Sequence, residues 1–278
     1  MRVAAILACA GVLGLPAVSA PTLAASQSGW FMSLGAFDPK ASTNIRLDAL
    51  NGQYGTNLHL ESDLDLPQRR VVPQAALGYR FDRRASLEFN YFDLRRSGSR
   101  VIDENITYGG VNYAFNTTVS TFSDVRTDSL LYRYAIVADG PWNLSITAGV
   151  HATHFTVGLS DLNSGVSKSA DAQTPLPVMG LRGLYDLRSW QFRSEAAYFE
   201  MTVNGVRGHL NRYTLSASHP VFDGLSLELG YMYYALALRA ARPDLAGVMR
   251  FAYQGPFLNL CYGCQTPFAD AAMRQVSE

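Results

Sequence analysis

Apolar and polar residues alternate with a period of two over about ten stretches of this 278-residue chain. The clearest stretch runs from Val71 to Phe81. Its odd positions read Val, Pro, Ala, Leu, Tyr, Phe, and its even positions Val, Gln, Ala, Gly, Arg. Successive side chains of a strand point to opposite faces. One face is therefore apolar and ends in aromatics, while the other carries Arg80. The same alternation predicts strands over 29–37, 71–81, 85–93, 129–137, 143–157, 176–187, 190–201, 210–218, 225–236 and 248–260. Most approach the roughly ten residues that a tilted strand needs to cross a bilayer. The pattern predicts an all-β fold, a transmembrane antiparallel up-and-down barrel of about ten strands, with eight or twelve as the alternatives.

The connections alternate in length. Asp82-Arg83-Arg84, the segment 138–141, Arg188-Ser189 and the segment 219–224 are tight and rich in turn formers. The segments 38–70, 94–128 and 158–175 are long, and 202–209 and 239–247 are modest. Barrels of this kind have short periplasmic turns and longer outer loops, so both termini are expected in the periplasm. The loops 38–70 and 94–128 contain strand-like pieces of their own, around 44–48, 57–61 and 101–115. These read as hairpins standing above the membrane or as an extra transmembrane pair, and polar flanks such as Ser62, Asp63 and Asp65 favour the hairpins.

The first residues change the picture from a strand-rich chain to an exported one. A charged Arg2, an apolar run over 3–15 and small residues after it form a secretory signal, with cleavage after Ala24 or Ala25. The expected organisation is a signal at 1–25, a barrel at 26–260 and a short periplasmic tail at 261–278. Hydrophobic residues make up 48% of the chain and aromatics 12%, against only 17% charged. That is fewer charges than the roughly one quarter usual in soluble domains. Net charge is zero, which offers nothing to nucleic acid. The beginning and the body together predict a bacterial outer-membrane location, with lipid and lipopolysaccharide around the wall.

The alternation also assigns faces. An aromatic girdle is expected from Trp30, Tyr79, Phe81, Tyr91, Tyr132, Trp142, Trp190, Tyr231, Tyr233 and Phe257, because aromatics gather at membrane interfaces. The final stretch is read with Phe251, Tyr253 and Phe257 toward lipid. The opposite face collects Arg80, Glu88, Arg133, Arg182, Arg193, Glu195, Arg212, Glu228 and Arg250. In a small barrel the bore is nearly filled by side chains, and charges there must pair. A lumen network of guanidinium forks against Glu88, Glu195 and Glu228 is predicted, with a positive excess. Such a network either plugs the barrel or lines a narrow anion-preferring, porin-like pore.

Candidate chemistry is sparse. His151 and His154 are three apart, so on a strand they face opposite ways and share no metal. His209, His59, Asp93 and Asp103 fall near the outer rim or in loops, and a Gly-x-Ser-x-Gly elbow is absent. No cofactor, metal or catalytic site is expected, and a hydrolase acting on lipid A or peptides at the rim is the remaining enzymatic alternative. Cys9 lies in the signal. Cys261 and Cys264, spaced Cys-Tyr-Gly-Cys, predict a small disulfide in an oxidising compartment.

The signal, the alternation of short turns and long loops, and the final Phe251-x-Tyr253-x-Gly255-x-Phe257 strand resemble the small bacterial outer-membrane β-barrel proteins, the OmpA-like and OmpX-like group. The resemblance covers 29–260. It implies a monomeric barrel whose last strand is read by the barrel-insertion machinery during assembly. The chain departs from the group in carrying a tail after that strand, too short to be a peptidoglycan-binding domain. The resemblance implies a fold and a location, with a structural or surface-interaction role through the loops.

Overall fold

A computed structural model describes residues 28–49, 51–203, 205–241 and 246–264. The expected signal, 1–25, and residues 265–278 of the expected tail lie outside the described residues. In chain order the elements are β1 (Gly29–Phe37), β2 (Lys40–Leu47), β3 (Leu58–His59), α1 (Leu60–Asp63), β4 (Val72–Arg80), β5 (Ala85–Val101), β6 (Ile106–Tyr108) and β7 (Val111–Tyr113). Then come β8 (Thr118–Asp139), β9 (Trp142–Asp161), β10 (Ser167–Leu187), β11 (Trp190–Val203), β12 (Val206–Phe222), β13 (Leu225–Ala241) and β14 (Ala246–Tyr262).

Ten of these strands form a closed antiparallel ring: β1, β4, β5 and β8 through β14, sealed by β14 on β1. Closure leaves no free sheet edge at the height of the apolar belt, which is how a strand structure survives in hydrocarbon. The strands at 44–48 and 57–61 add no transmembrane pair. β2 instead prolongs β1 past a kink at Asp38-Pro39, so β14 pairs β1 over Phe257–Tyr262 and β2 over Gly247–Gln254. A Cβ at Gly255 would lie 2.1 Å from the Asp38 carbonyl oxygen, so the kink needs a glycine opposite it.

The wall is taller than the alternation suggests. β5 runs on to Val101 and β8 starts at Thr118, so most of the expected loop 94–128 is wall; β9 and β10 absorb most of 158–175. The outward residues there turn polar (Arg95, Asp124, Arg126), which ends the apolar signal, but strand pairing needs no lipid and continues.

The β6–β7 hairpin is turned into the mouth of the barrel. Tyr108 and Tyr113 are buried, and their hydroxyls donate to the carbonyls of Val157 (3.3 Å) and Leu159 (3.1 Å) on β9. Burial pushes the Tyr108 phenol above its usual range. Residues 58–68 also fold inward, where Leu58, Leu60 and Leu64 are fully buried. Above the Gln74–Phe92 pair β5 has no β4 partner, and this segment lies against it. A Cβ at Gly98 would come 2.5 Å from the Asp65 carbonyl oxygen.

The two faces of the wall differ as in a membrane barrel. Trp30, Met32, Leu34, Leu130, Ile146, Met179, Leu229 and Tyr231 are exposed on the outside. The last strand reverses expectation: Phe251, Tyr253 and Phe257 point inward and are 1%, 4% and 4% exposed, while Leu258, Leu260 and Tyr262 face out. Over 249–257 the alternation has the opposite sense to the belt: the apolar row packs inside at the long-loop end while Arg250 and Gln254 face out, and pairing on β13 and β1 sets that turn. Phe257 is therefore no girdle residue. Its strand joins an aromatic core at the long-loop end, with Phe37, Phe92, Phe155 and Tyr234. Burying a side chain of that size stabilises by about 1.5–3 kcal/mol, so this filling is part of the fold and no loose lid.

Candidate functional site

The interior is divided into two storeys, and the lower one, toward the short turns, holds the charges. They come from the inward parity of seven strands: Arg80 on β4, Glu88 on β5, Arg133 on β8, Arg182 on β10, Arg193 and Glu195 on β11, Arg212 on β12 and Glu228 on β13. Arg250 is the exception. On β14 it lies next to buried Met249 and Phe251, so the same alternation turns it outward, where it is exposed. Its assignment to the lumen is corrected for the same reason as that of Phe257: the strand is turned by one residue.

Arg133 is the hub. Its guanidinium bridges Glu88 in a fork, Nη1 to Oε2 at 2.5 Å and Nη2 to Oε1 at 3.2 Å, and reaches Glu195 at 3.5 Å. Arg212 approaches the other Glu195 oxygen at 3.7 Å. A second cluster pairs Arg193 with Glu228, whose carboxylate also accepts from Ser216 Oγ (2.6 Å) and Asn259 Nδ2 (3.3 Å). Arg80 lies over the Phe31 ring near the short-turn mouth. Arg182 makes no ion pair among the described residues, and its Nε has no hydrogen-bond partner. These groups surround a cavity of about 170 Å³.

The upper storey is mainly apolar and aromatic. Above the cluster His151 Nε2 meets the Tyr234 hydroxyl at 3.1 Å, and Thr153 lies 3.4 Å from the same oxygen. Over them stands the aromatic core, then the inward-folded hairpin and the 58–68 segment. One buried ion pair is set into that layer: Arg96 Nη1 to Glu61 Oε1 at 2.6 Å, with Arg96 Nη2 donating to Thr43 Oγ1 at 2.7 Å and the Thr43 amide to Glu61 Oε2 at 2.7 Å. It ties α1 to β2 and β5. The sequence reading missed it, although Arg96 shares a strand face with Phe92 and Leu94 and so stands as an arginine on an apolar row.

The remaining candidates are scattered. Asp93 on β5 and His154 on β9 are separated by Arg126 on β8, and His209 on β12 lies beyond β10 and β11. Asp93 pairs with Arg95 at 3.0 Å, and His209 contacts Asn211 at 2.9 Å. These residues build no nucleophile–base pair. Among the described residues no three His, Cys, Asp or Glu gather as metal ligands. Cys261 and Cys264 form a disulfide across a turn in which Gly263 has φ 68°.

Girdle residues follow the wall. Trp30, Phe81, Tyr132, Trp142, Trp190, Tyr231 and Tyr233 are exposed on the outer surface, and Tyr79 and Tyr91 are half-buried there. Trp30 and Trp142 sit with Tyr79 and Tyr185 as ring pairs near the short turns, at 5.1 and 4.3 Å between centroids.

No protein-family model and no curated protein sequence matches the chain. Solved structures do. The outer-membrane protease OmpT of Escherichia coli superposes with a TM-score of 0.52 at 10% identity, covering 84% of this chain and 96% of that one. The translocator domain of the autotransporter NalP of Neisseria meningitidis gives 0.41 at 10% identity, over 84% and 88%. Ail, the attachment invasion locus protein of Yersinia pestis, gives 0.37 at 10% identity, over 83% and 98%, in its complex with a heparin analogue. The likeness is one of fold: this chain has the architecture of the small bacterial outer-membrane β-barrel proteins.

Proposed function

We propose that this protein resides in the bacterial outer membrane as a monomeric, closed barrel and works through its outer crown in a structural or surface-interaction role. In this reading the short turns and both termini are periplasmic and the tall β8–β10 wall faces the outside. A ring that closes within one chain leaves no edge calling for a second copy. The polar collar above the apolar belt, with Arg95, Arg126, Arg207 and Arg239 facing out, suits the anionic head groups of lipopolysaccharide.

The aromatic layer above the charges carries the reading. Phe37, Phe155, Tyr234, Phe251 and Tyr253 stand between the arginine-lined lower cavity and the crown. An anion path would have to cross that apolar layer, where an unpaired ion is expensive. In planar bilayers the purified protein is expected to give no steady conductance at moderate voltage. A steady anion-selective conductance that falls when Arg182 is replaced by Ala would overturn the closed reading in favour of the narrow pore.

A further inference from the structure

Besides the gap above β4 that the 58–68 segment covers, the wall has a seam that the ring does not close along its full height. β10 is paired with β9 from Ser167 to Tyr185, but its ladder with β11 ends at Met179–Tyr198. The cause is in the sequence. In an antiparallel strand the N–H and C=O of one residue point to the same neighbour, and successive residues alternate sides. Even-numbered residues of β10 face β9, as the Asp186 amide donating to the Pro141 carbonyl at the turn indicates. Pro175 and Pro177 therefore present their missing donors to β11, and two ladder bonds are lost on that side alone.

A cavity of about 470 Å³ opens at this seam. Its walls are Leu47, Phe155, Leu238 and Met249, all buried, with Ala170 and Ala172 of β10, where β11 is not paired, and Val206 at the tip of the β11–β12 hairpin. Ala170 and Ala172 face the barrel interior yet remain partly exposed, because nothing fills the space before them. Leu176 closes the seam from below by packing where Gly208 has no side chain: a Cβ there would lie 2.9 Å from it. Outside, the seam begins at the upper edge of the apolar belt, just above Met179 and Tyr198.

We infer that this seam is a lateral binding site for a single-chain anionic amphiphile drawn from the surrounding lipid. The apolar tail lies in the cavity and the head meets Lys168 at the rim. The other charged groups lining the cavity, and Arg207 outside it, are engaged. Arg46 is paired with Asp48 at 2.9 Å, Asp171 accepts from Thr156 at 2.7 Å, and Arg207 pairs with Glu200. Lys168 makes no ion pair among the described residues, which leaves one positive charge beside an apolar space. The inference rests on the membrane-spanning reading, which gel mobility tests independently of any ligand.

The test uses the full protein in zwitterionic lipid nanodiscs and a twelve-carbon fatty acid bearing a diazirine. After illumination, adducts are expected on cavity residues such as Phe155, Leu238 and Met249. Adducts confined to belt residues such as Leu181, Tyr198 and Tyr213 would overturn the site. Unlabelled dodecanoate and dodecyl phosphate should compete, and the stronger of the two identifies the head as carboxylate or phosphate. Equal competition by dodecyltrimethylammonium would overturn the anionic assignment. Lys168→Glu should weaken labelling about tenfold, a loss of about 1.4 kcal/mol. Ala172→Trp fills the space, and Pro175→Thr with Pro177→Thr restores the donors that let β11 zip up; each should abolish cavity labelling. Undiminished labelling in both, with gel mobility of the folded form retained, would refute the seam as the way in.

Discussion

A single guanidinium, that of Arg133, holds carboxylates from two other strands. Removing it leaves Glu88 and Glu195 facing each other in a largely desolvated space, where breaking a buried pair costs about 3–5 kcal/mol. Arg133→Ala is therefore expected to destabilise the barrel by about 3 kcal/mol, at the low end because the adjoining cavity admits water. Urea unfolding in micelles, followed by tryptophan fluorescence, measures it. Arg207→Ala, which breaks an exposed pair with Glu200, should leave the midpoint nearly unchanged. Equal effects from the two would mean that the network contributes little. At this scale the lumen charges were readable from parity on every strand except β14. Arg250 escaped because at the long-loop end the apolar row of β14 packs inside and the polar row faces out, the reverse of the belt, and only the partner strands decide which side is in.

Among the elements, the β6–β7 hairpin is the one whose place the sequence could not state. Its alternation is that of any short hairpin, and nothing local distinguishes standing in water from lying in a mouth. Two tyrosines anchor it, each donating one hydroxyl to a β9 carbonyl. A net hydrogen bond contributes about 1 kcal/mol, so Tyr108→Phe with Tyr113→Phe should loosen the hairpin by about 2 kcal/mol without unfolding the wall. Hydrogen exchange of the 106–113 amides should rise severalfold while that of β8 and β9 stays fixed. Exchange unchanged in both regions would mean that apolar packing alone holds the hairpin. The same contrast explains β10: Pro175 and Pro177 are visible in the sequence, but which neighbour loses its bonds depends on the strand's place in the ring.

For the whole molecule, closure is the governing fact. Every wall strand is bonded on both sides over the membrane-facing height, so the barrel resists detergent that unfolds other proteins. Unboiled protein should run faster on a denaturing gel than boiled protein, and identical mobility would count against the closed ring. The mainly apolar upper storey and the charged lower one also make the barrel asymmetric along its axis. A ligand confined to the seam meets only the upper storey, so amphiphile binding and the Arg133 network should vary independently.

Period-two alternation, turn chemistry and the shortage of charges were enough to state about ten strands, an even ring and an outer face made for lipid. These are local properties, carried by each residue and its two neighbours along the chain. The tertiary structure alone decided the turn of β14, the inward fold of the 58–68 and 106–113 segments, and the seam beside β10. Each depends on which strand lies alongside, a choice made by pairing between residues distant in sequence and therefore absent from any local pattern.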